Sequence, residues 1–307
     1  MKPIKTFALN AVLSLGAAIM LGGCNQFPLI DPKGPIGLSE RFVIFVSIAL
    51  MLIVVIPVLV MAWWFPLKYR ASNTKAKYMP NWCHSNKIEL VIWLVPALII
   101  LALSIMIWIT THRLDPYKPI DAAVKPINIE AVSLDWKWLF IYPDQKIATV
   151  NQLVFPVNVP LSFRLTSDTV MTSFFIPHLG SQIYAMGGMQ TRLHLMAHEA
   201  GAYLGQNQQF SGRGYAEMNF KAIATSQRDF DEWVRKIGST GEKLDAARFE
   251  KIAKPSVEAP VAHFVLAQPD LFERIINQFK PTADVRSAAI GRESASRPIQ
   301  TGALEKP

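Results

Sequence analysis

The sequence predicts two membrane-spanning helices that form a hairpin, followed by an all-β sandwich with short helices near the C-terminus. Three observations support this fold class. Hydrophobic residues make up 51% of the 307 residues and charged residues only 18%, which is apolar for a soluble protein. Two uncharged segments are long enough to cross a lipid bilayer. Beyond them the chain changes to short strands bounded by turn residues, and then to apolar stripes with helical spacing.

The first 23 residues have the composition of a secretory signal peptide. Lys2 and Lys5 give it a positively charged start, and the apolar run that follows is too short for a spanning helix. The run ends in Leu21-Gly22-Gly23-Cys24, which resembles the lipobox of bacterial lipoproteins. The resemblance implies that Cys24 carries a lipid and becomes the mature N-terminus. The alternative is an ordinary signal peptide that happens to precede a cysteine.

The predicted transmembrane hairpin occupies residues 42–111. Residues 42–65 and 90–110 carry no charged side chain, and a single proline interrupts each run. A helix over the first run would be roughly 36 Å long, which is enough to cross the hydrocarbon core with some tilt. Tryptophans near the ends of both runs are typical of the membrane–water interface: Trp63, Trp64, Trp93 and Trp108.

The loop inside the hairpin, residues 66–88, predicts the orientation of the chain. It contains five basic residues and no acidic one, and loops of this kind stay on the cytoplasmic side. Residues 24–41 and the chain from residue 112 onwards then lie on the periplasmic side, which is also the side that a lipidated Cys24 requires. Cys83 lies in the cytoplasmic loop, so the two cysteines cannot pair and a disulfide-stabilised scaffold is excluded.

Residues 112–225 are predicted to form a periplasmic β domain. Short segments rich in β-branched or aromatic residues alternate with Pro, Gly, Asn and Asp, and no helical segment separates them. This spacing is typical of a sandwich or a barrel. The predicted strands are residues 127–132, 139–142, 157–166, 192–197 and 217–224.

Residues 226–280 are predicted to be a helical extension of this domain. One apolar stripe with helical spacing lies between residues 230 and 237, and a second lies between residues 271 and 279. Asp270, directly before the second stripe, is a typical helix start. Residues 281–307 mix Ala, Ser, Pro and charged residues, and this composition predicts a disordered tail.

The composition excludes several classes of function. The net charge of +8 could indicate nucleic acid, but the basic residues neither cluster on one helix nor alternate with aromatic residues, so no nucleic-acid partner is expected. The sequence contains no glycine-rich phosphate loop, no nucleophile elbow and no zinc-type His-Glu pair. Methionines and histidines are scattered through the β domain, where core and surface positions explain them most simply.

Several longer motifs identify a family. They are Ile88-Glu89-Leu90, Asp135-Trp136-Lys137-Trp138, residues 170–180, Tyr184-Ala185-Met186 and residues 205–218. Together with the two uncharged runs, these motifs resemble subunit II of the haem-copper terminal oxidases, over about residues 24–279. The resemblance implies a cupredoxin-like sandwich for the periplasmic domain.

In the cytochrome c oxidase branch of this family, the periplasmic domain binds a dinuclear copper centre. The two cysteine positions of that centre correspond here to Asn207 and Ser211, whose amide and hydroxyl groups cannot replace bridging thiolates. Among the other ligand positions only the methionine is retained: they hold Thr172, Gln209, Tyr215 and Met218. The resemblance therefore implies that the copper centre is absent and that this chain holds no cofactor.

Without the copper ligands, the sequence resembles the quinol oxidase branch of the family, which lacks this centre. It is especially similar to subunit II of the cytochrome-o-type ubiquinol oxidases. These inner-membrane complexes pump protons while they couple quinol oxidation to the reduction of oxygen to water. The resemblance implies a structural and docking role beside subunit I, which carries the haems and copper, with further small membrane subunits as partners. Two alternatives stay open: a menaquinol oxidase subunit, and a stand-alone lipoprotein that binds copper or a protein partner.

The resemblance also implies roles for three individual residues. Glu89 matches a glutamate at the cytoplasmic entrance of a proton channel into subunit I, although a carboxylate at a helix end can equally be a solvated end residue. Trp136 and Trp138 match an aromatic pair that meets the electron donor in the copper-containing branch. Without copper that task is gone, and packing is the better interpretation of both tryptophans.

Overall fold

The computed structural model of the chain describes residues 27–77, 79 and 81–279. The predicted signal peptide, Cys24 and the predicted tail at 281–307 lie outside these residues. Five helices are found in the described chain: α1 (Pro35–Lys68), α2 (Asn86–Arg113), α3 (Gln227–Thr240), α4 (Ala246–Ala253) and α5 (Leu271–Asn277). The strands are β1 (Ile127–Leu134), β2 (Lys137–Tyr142), β3 (Ile147–Val150), β4 (Gln152–Pro156), β5 (Leu161–Ser167), β6 (Thr172–Phe174), β7 (Ile183–Ala185), β8 (Thr191–Leu195), β9 (Gly201–Gln206), β10 (Asn219–Thr225), β11 (Glu242–Leu244) and β12 (Ala262–Leu266).

Helices α1 and α2 are both long and apolar enough to cross a membrane, as the sequence predicts. Each is longer than its uncharged run. Helix α1 begins at Pro35, seven residues before the run starts, because proline suits the first turn of a helix. Glu40 and Arg41 continue the helix, since a charged side chain does not interrupt the main-chain hydrogen bonds. The two uncharged runs are therefore the central parts of longer helices, and the loop that connects the helices covers residues 69–85 rather than 66–88.

The segment before α1 is attached to the β domain by main-chain hydrogen bonds. Lys33 N donates to His178 O at 2.7 Å, and His198 N donates to Lys33 O at 2.8 Å. Within the first turn of the helix, Gly37 N donates to Leu179 O at 3.1 Å. Gly37 is buried, and a Cβ atom there would meet the side chain of Pro32 at 2.9 Å. Helix α1 therefore leaves the β domain from a fixed point.

The β domain is a sandwich, as predicted. A seven-stranded sheet has the order β11-β12-β3-β2-β1-β5-β8, and a three-stranded sheet has the order β4-β10-β9. Strands β6 and β7 form a separate two-stranded pair. Between the layers lies a cluster of buried rings, whose centroids are 5.0–6.4 Å apart: Trp138, Phe140, Phe174 and Phe220. Aromatic packing of this kind makes up the centre of the core.

The first part of one predicted strand is wrong, since only residues 161–166 of it lie in β5. Residues 157–166 were expected to form a single strand, but the chain turns at residues 157–160 between β4 and β5. Asn158 has a φ of 58°, a left-handed conformation that asparagine accepts and that strands exclude. The other four predicted strands correspond to β1, β2, β8 and β10. Five strands of the domain were not predicted, because they are short or lack a clear alternation: β3, β4, β6, β7 and β9.

The C-terminal extension is only partly helical, which corrects the prediction for residues 226–280. Helices α3 and α5 lie where the two apolar stripes predict them, and α4 was not predicted. Strands β11 and β12 also belong to this segment, and β12 pairs antiparallel with β3 at the edge of the large sheet. Helix α5 covers the second face of that sheet. Because the sheet is buried on both faces, every residue of β2 and β3 is buried, and no alternation is visible in their sequences.

Arg164 holds α5 to this second face. Its guanidinium donates to Glu130 Oε1 at 3.0 Å, pairs with Glu273 of α5 and lies 4.7 Å from the ring centre of Phe272. Glu130 is buried, and its other carboxylate oxygen has no hydrogen-bond partner among the described residues. The pKa of Glu130 is raised to about 7, mainly by burial and in smaller part by the nearby carboxylates of Glu273 and Asp144, while Arg164 opposes the rise.

We predict that Glu130 makes the stability of the domain depend on pH. The folded chain holds the Glu130 proton more tightly than the unfolded chain does. Protonated Glu130 therefore makes its full contribution to the free energy of unfolding below pH 4.5, and this contribution is lost as the pH rises through about 7. The loss is at most about 3 kcal/mol. Replacing Glu130 by Gln should flatten the profile of thermal unfolding temperature between pH 4.5 and 8, measured on the purified chain in detergent. The exposed Glu250→Gln variant is the control; parallel profiles for wild type and Glu130→Gln would contradict the prediction.

Candidate functional site

The positions that the family resemblance assigns to copper lie at one end of the sandwich. Most of them belong to the loop between β9 and β10, residues 207–218. The loop is joined to the neighbouring strand β6, because Gln208 N donates to Ser173 Oγ at 2.7 Å. A bridge between Phe175 and Gln206 continues this contact just before the loop begins. The fold therefore holds the loop against β6 at both of these points.

Asn207 organises the loop. Its buried side-chain oxygen accepts hydrogen bonds from Ser173 N and Gln209 N, both at 2.9 Å, and from Ser173 Oγ at 3.3 Å. Its amide nitrogen donates to Gln209 O at 2.8 Å and to Ser211 Oγ at 3.2 Å. All polar atoms of the amide are thus paired within the chain, as a buried polar group requires. Three of the copper-ligand positions therefore form one hydrogen-bonded group: Asn207, Gln209 and Ser211.

The other three positions have different partners. The buried Thr172 hydroxyl donates to Ser133 Oγ of β1 at 2.7 Å, so it faces β1 rather than the Asn207 group. The Tyr215 ring packs against Phe210 at a centroid distance of 5.8 Å. Met218 is 1% exposed and belongs to the apolar core, with its carbonyl accepting a hydrogen bond from Asn207 N at 3.2 Å. The structure does not gather all six positions around one point.

The side chains at these positions do not fit a dinuclear copper centre. Such a centre needs two thiolates to bridge the metals, and an amide and a hydroxyl stand at the two cysteine positions. The oxygen of Asn207 already accepts three hydrogen bonds, which leaves no lone pair for a metal. Within residues 27–77, 79 and 81–279, no three His, Cys, Asp or Glu side chains come together in a way that could hold a metal ion.

Trp136 covers the loop, a role that the sequence analysis missed. Its indole nitrogen donates to Ser211 O at 2.9 Å, and its ring lies over two glycines of the loop. A Cβ atom at Gly214 would meet the ring at 2.6 Å, and Gly212 has a φ of 104°. The pair of glycines two residues apart was the available signal for a close ring contact. Trp138 is fully buried in the aromatic core, so both tryptophans pack within the domain.

Glu89 lies in the first turn of α2, at the end of the hairpin that carries the loop. Its side chain is 54% exposed, and His84 Nδ1 lies 3.4 Å away from Oε2. A carboxylate in the first turn is favoured by the partial positive charge of the helix N-terminus. Because the described chain leaves more than half of this side chain exposed, a closed channel at Glu89 would need walls from another chain.

Two parts of the chain match sequence models of known families. Residues 144–225 match the model described as "Cytochrome C oxidase subunit II, periplasmic domain". Residues 239–281 match the model described as "COX Aromatic Rich Motif", which corresponds to most of the C-terminal extension. The first match covers β3 to β10 and includes the loop at 207–218. The predicted cupredoxin-like sandwich is confirmed.

Relatives align with the chain over most of its length. Cytochrome bo(3) ubiquinol oxidase subunit 2 of Pseudomonas aeruginosa is 50% identical over 290 residues, which are 94% of this chain and 87% of that protein. Ubiquinol oxidase subunit 2 of Acetobacter aceti is 52% identical over 86% of each chain. Quinol oxidase subunit 2 of Bacillus cereus is 36% identical over 81% of this chain and 86% of that protein. The predicted resemblance is confirmed, and the chain belongs to the ubiquinol oxidase subunit 2 family, whose members are subunits of oxidoreductase complexes.

Proposed function

We propose that this chain is the copper-free subunit II of a proton-pumping ubiquinol oxidase, in which it supports and docks the catalytic subunit I. The observation that carries the proposal is the hydrogen-bonded amide of Asn207 at the first thiolate position. Haems and copper belong to subunit I, and this chain holds no redox centre. The complex oxidises ubiquinol and reduces oxygen to water.

The missing copper centre bears on the electron donor of the complex. Cytochrome c is a soluble carrier that delivers single electrons from the aqueous side, so it requires a redox centre on the periplasmic domain. The Asn207 group cannot accept an electron, because amide and hydroxyl groups have no accessible redox chemistry. A quinol dissolved in the membrane can instead reach subunit I directly. The higher identity to relatives named ubiquinol oxidase, 50% and 52% against 36% for the Bacillus cereus quinol oxidase, supports ubiquinol as the donor.

The complex lies in the inner membrane of a bacterium, with subunit I and further small membrane subunits as partners of this chain. The basic loop between α1 and α2 supports a cytoplasmic position for that loop, and the β domain then lies in the periplasm. Lipidation of Cys24 would add a third attachment to the membrane. Because two helices already hold the chain, the lipid would contribute location or packing more than attachment.

Glu89 is proposed to stand at the cytoplasmic entrance of a proton channel that continues in subunit I. Its exposed carboxylate at the loop end of α2 and the neighbouring His84 support this role, because both groups can exchange protons with water. In this role Glu89 passes protons from the cytoplasm into the channel and takes no part in the reduction of oxygen itself.

The proposal predicts the donor of the complex. Purification of the tagged chain in mild detergent should yield a complex with a haem spectrum and ubiquinol-dependent oxygen uptake. The same complex should not oxidise reduced cytochrome c, because the periplasmic domain has no electron acceptor. Uptake of oxygen with reduced cytochrome c, or two copper ions bound to the β domain by metal analysis, would contradict the proposed function. Comparing ubiquinol with menaquinol in the same assay decides between the two quinols.

Replacing Glu89 by Ala should slow ubiquinol-dependent oxygen uptake severalfold, because proton delivery to subunit I would lose its entry group. Assembly should be unchanged, since Glu89 makes no buried contact in the described chain. The measurement is turnover per haem, and the amount of purified complex reports on assembly. Glu250→Gln, an exposed carboxylate on α4, is the matched control. Turnover equal to wild type in Glu89→Ala would reject the proton-entry role.

The loop at 207–218 should affect stability and not electron transfer. Gly214→Ala places a methyl group against the Trp136 ring and should destabilise the domain by about 1–3 kcal/mol. Gly238→Ala in α3, where nothing lies within 4 Å, should be neutral or stabilise by up to ~1 kcal/mol. Thermal unfolding of both variants gives the comparison, and turnover per haem of the assembled Gly214→Ala complex should equal that of wild type. A loss of turnover per haem would assign the loop a role in catalysis.

A further inference from the structure

A groove runs between the outer halves of α1 and α2, at the end of the hairpin near the β domain. Its volume is about 660 Å³, and its walls are almost entirely apolar. Phe42, Val46 and Leu50 of α1 face Ile105 and Met106 of α2 across it. In a bilayer this part of the hairpin lies in the hydrocarbon region, so the groove suits a fatty-acid chain.

A second pocket of about 230 Å³, lined by several charged side chains and called the polar pocket here, adjoins the outer end of the groove. The two cavities share Ser39, Arg113 and Leu114 as lining residues, so they lie next to each other. The polar pocket is lined mainly by the linker that connects α2 to the β domain. His194 of β8 holds this linker in place, because its Nδ1 lies 3.0 Å from Pro116 O.

The polar pocket carries charges of both signs. Arg113 and Lys118 contribute two cations, and Asp115 and Asp121 contribute two carboxylates. Among the ion pairs of the described residues, none includes any of these four side chains. All four are exposed. The pocket can therefore bind a cation and an anion at the same time.

We propose that the groove and the polar pocket together form a binding site for one zwitterionic phospholipid, with an acyl chain in the groove and the head group in the pocket. The phosphate contacts Arg113 and Lys118, and the ammonium group contacts Asp115 and Asp121. Such charge-assisted hydrogen bonds are stronger than neutral ones. The site lies where the hydrocarbon ends and the β domain begins, which is the depth of the lipid head groups. Phosphatidylethanolamine has the required phosphate, primary ammonium and acyl chains.

Two other occupants of the groove fit its chemistry less well. An acylated Cys24 would bring fatty chains but neither a phosphate nor an ammonium group, so the charges of the pocket would have no partner. A helix of another subunit would fill the apolar groove and likewise leave the two cations and two carboxylates unexplained. The proposal goes beyond the proposed function and requires only that α1 and α2 cross a bilayer, so its failure would leave the quinol oxidase assignment untouched.

The site can be tested on the intact complex in nanodiscs. The probe is phosphatidylethanolamine with a photoactivatable diazirine in one acyl chain, and the matched probe is phosphatidylglycerol with the same chains. Mass spectrometry of the cross-linked peptides should locate the ethanolamine probe at residues 42–50 and 102–109. Arg113→Ala should lower this labelling about tenfold, because the phosphate would lose a charge-assisted hydrogen bond. Lys221→Ala, an exposed lysine of β10, should leave the labelling unchanged.

A second variant tests the apolar groove alone and leaves the charged side chains of the polar pocket unchanged. Val46→Trp fills the groove from its apolar wall and should abolish labelling without altering the polar pocket. Three results would overturn the proposal. The first is equal labelling by both probes with no effect of Arg113→Ala. The second is labelling that occurs only after Cys24→Ser removes the chain's own lipid, and the third is no labelling of either segment in wild type.

Discussion

Two tethers between the β sandwich and the membrane hairpin determine how the rest of the chain is arranged. Before α1, the main chain of Lys33 exchanges hydrogen bonds with His178 and His198. After α2, His194 holds the linker through Pro116 O. Because each end of the hairpin that faces the domain is held in this way, the sandwich cannot rotate freely above the membrane. A docking subunit needs this constraint, since its periplasmic surface must meet a partner in one orientation.

The loop at 207–218 shows how positions that the family resemblance assigns to copper can instead hold the loop together. Each hydrogen bond of the Asn207 amide contributes about 0.5–1.5 kcal/mol to the free energy of unfolding. An amide buried at the same place without partners would destabilise the fold. Trp136 and the glycines beneath it then pack the loop from outside. The side chains that replace thiolates are therefore not neutral remnants, because the loop conformation depends on them.

The sequence predicted the parts of the structure that carry a local signal. Long uncharged runs gave α1 and α2, and apolar stripes gave α3 and α5. The start of α1 was misplaced because an uncharged run indicates only the part of the helix that lies in the hydrocarbon core of the bilayer. The ends of a helix depend on main-chain hydrogen bonds instead. Strands β3 and β12 escaped prediction because they are short and because they pair with each other across more than a hundred residues of sequence. The Asn207 group was equally invisible, since its contacts with β6 depend on tertiary structure.

The retained methionine illustrates why a single preserved ligand is weak support for a metal site. Met218 matches a copper ligand of the cytochrome c oxidase branch, yet it is 1% exposed and packs in the core beside the rings of the sandwich. A thioether fills irregular apolar space well, so packing alone is sufficient to explain its presence. Asn207, by contrast, is buried at a position where its amide makes five hydrogen bonds, so specific polar contacts explain its presence. Asn207, with its specific polar contacts, is therefore stronger evidence on whether the loop binds copper than Met218, which is a core residue.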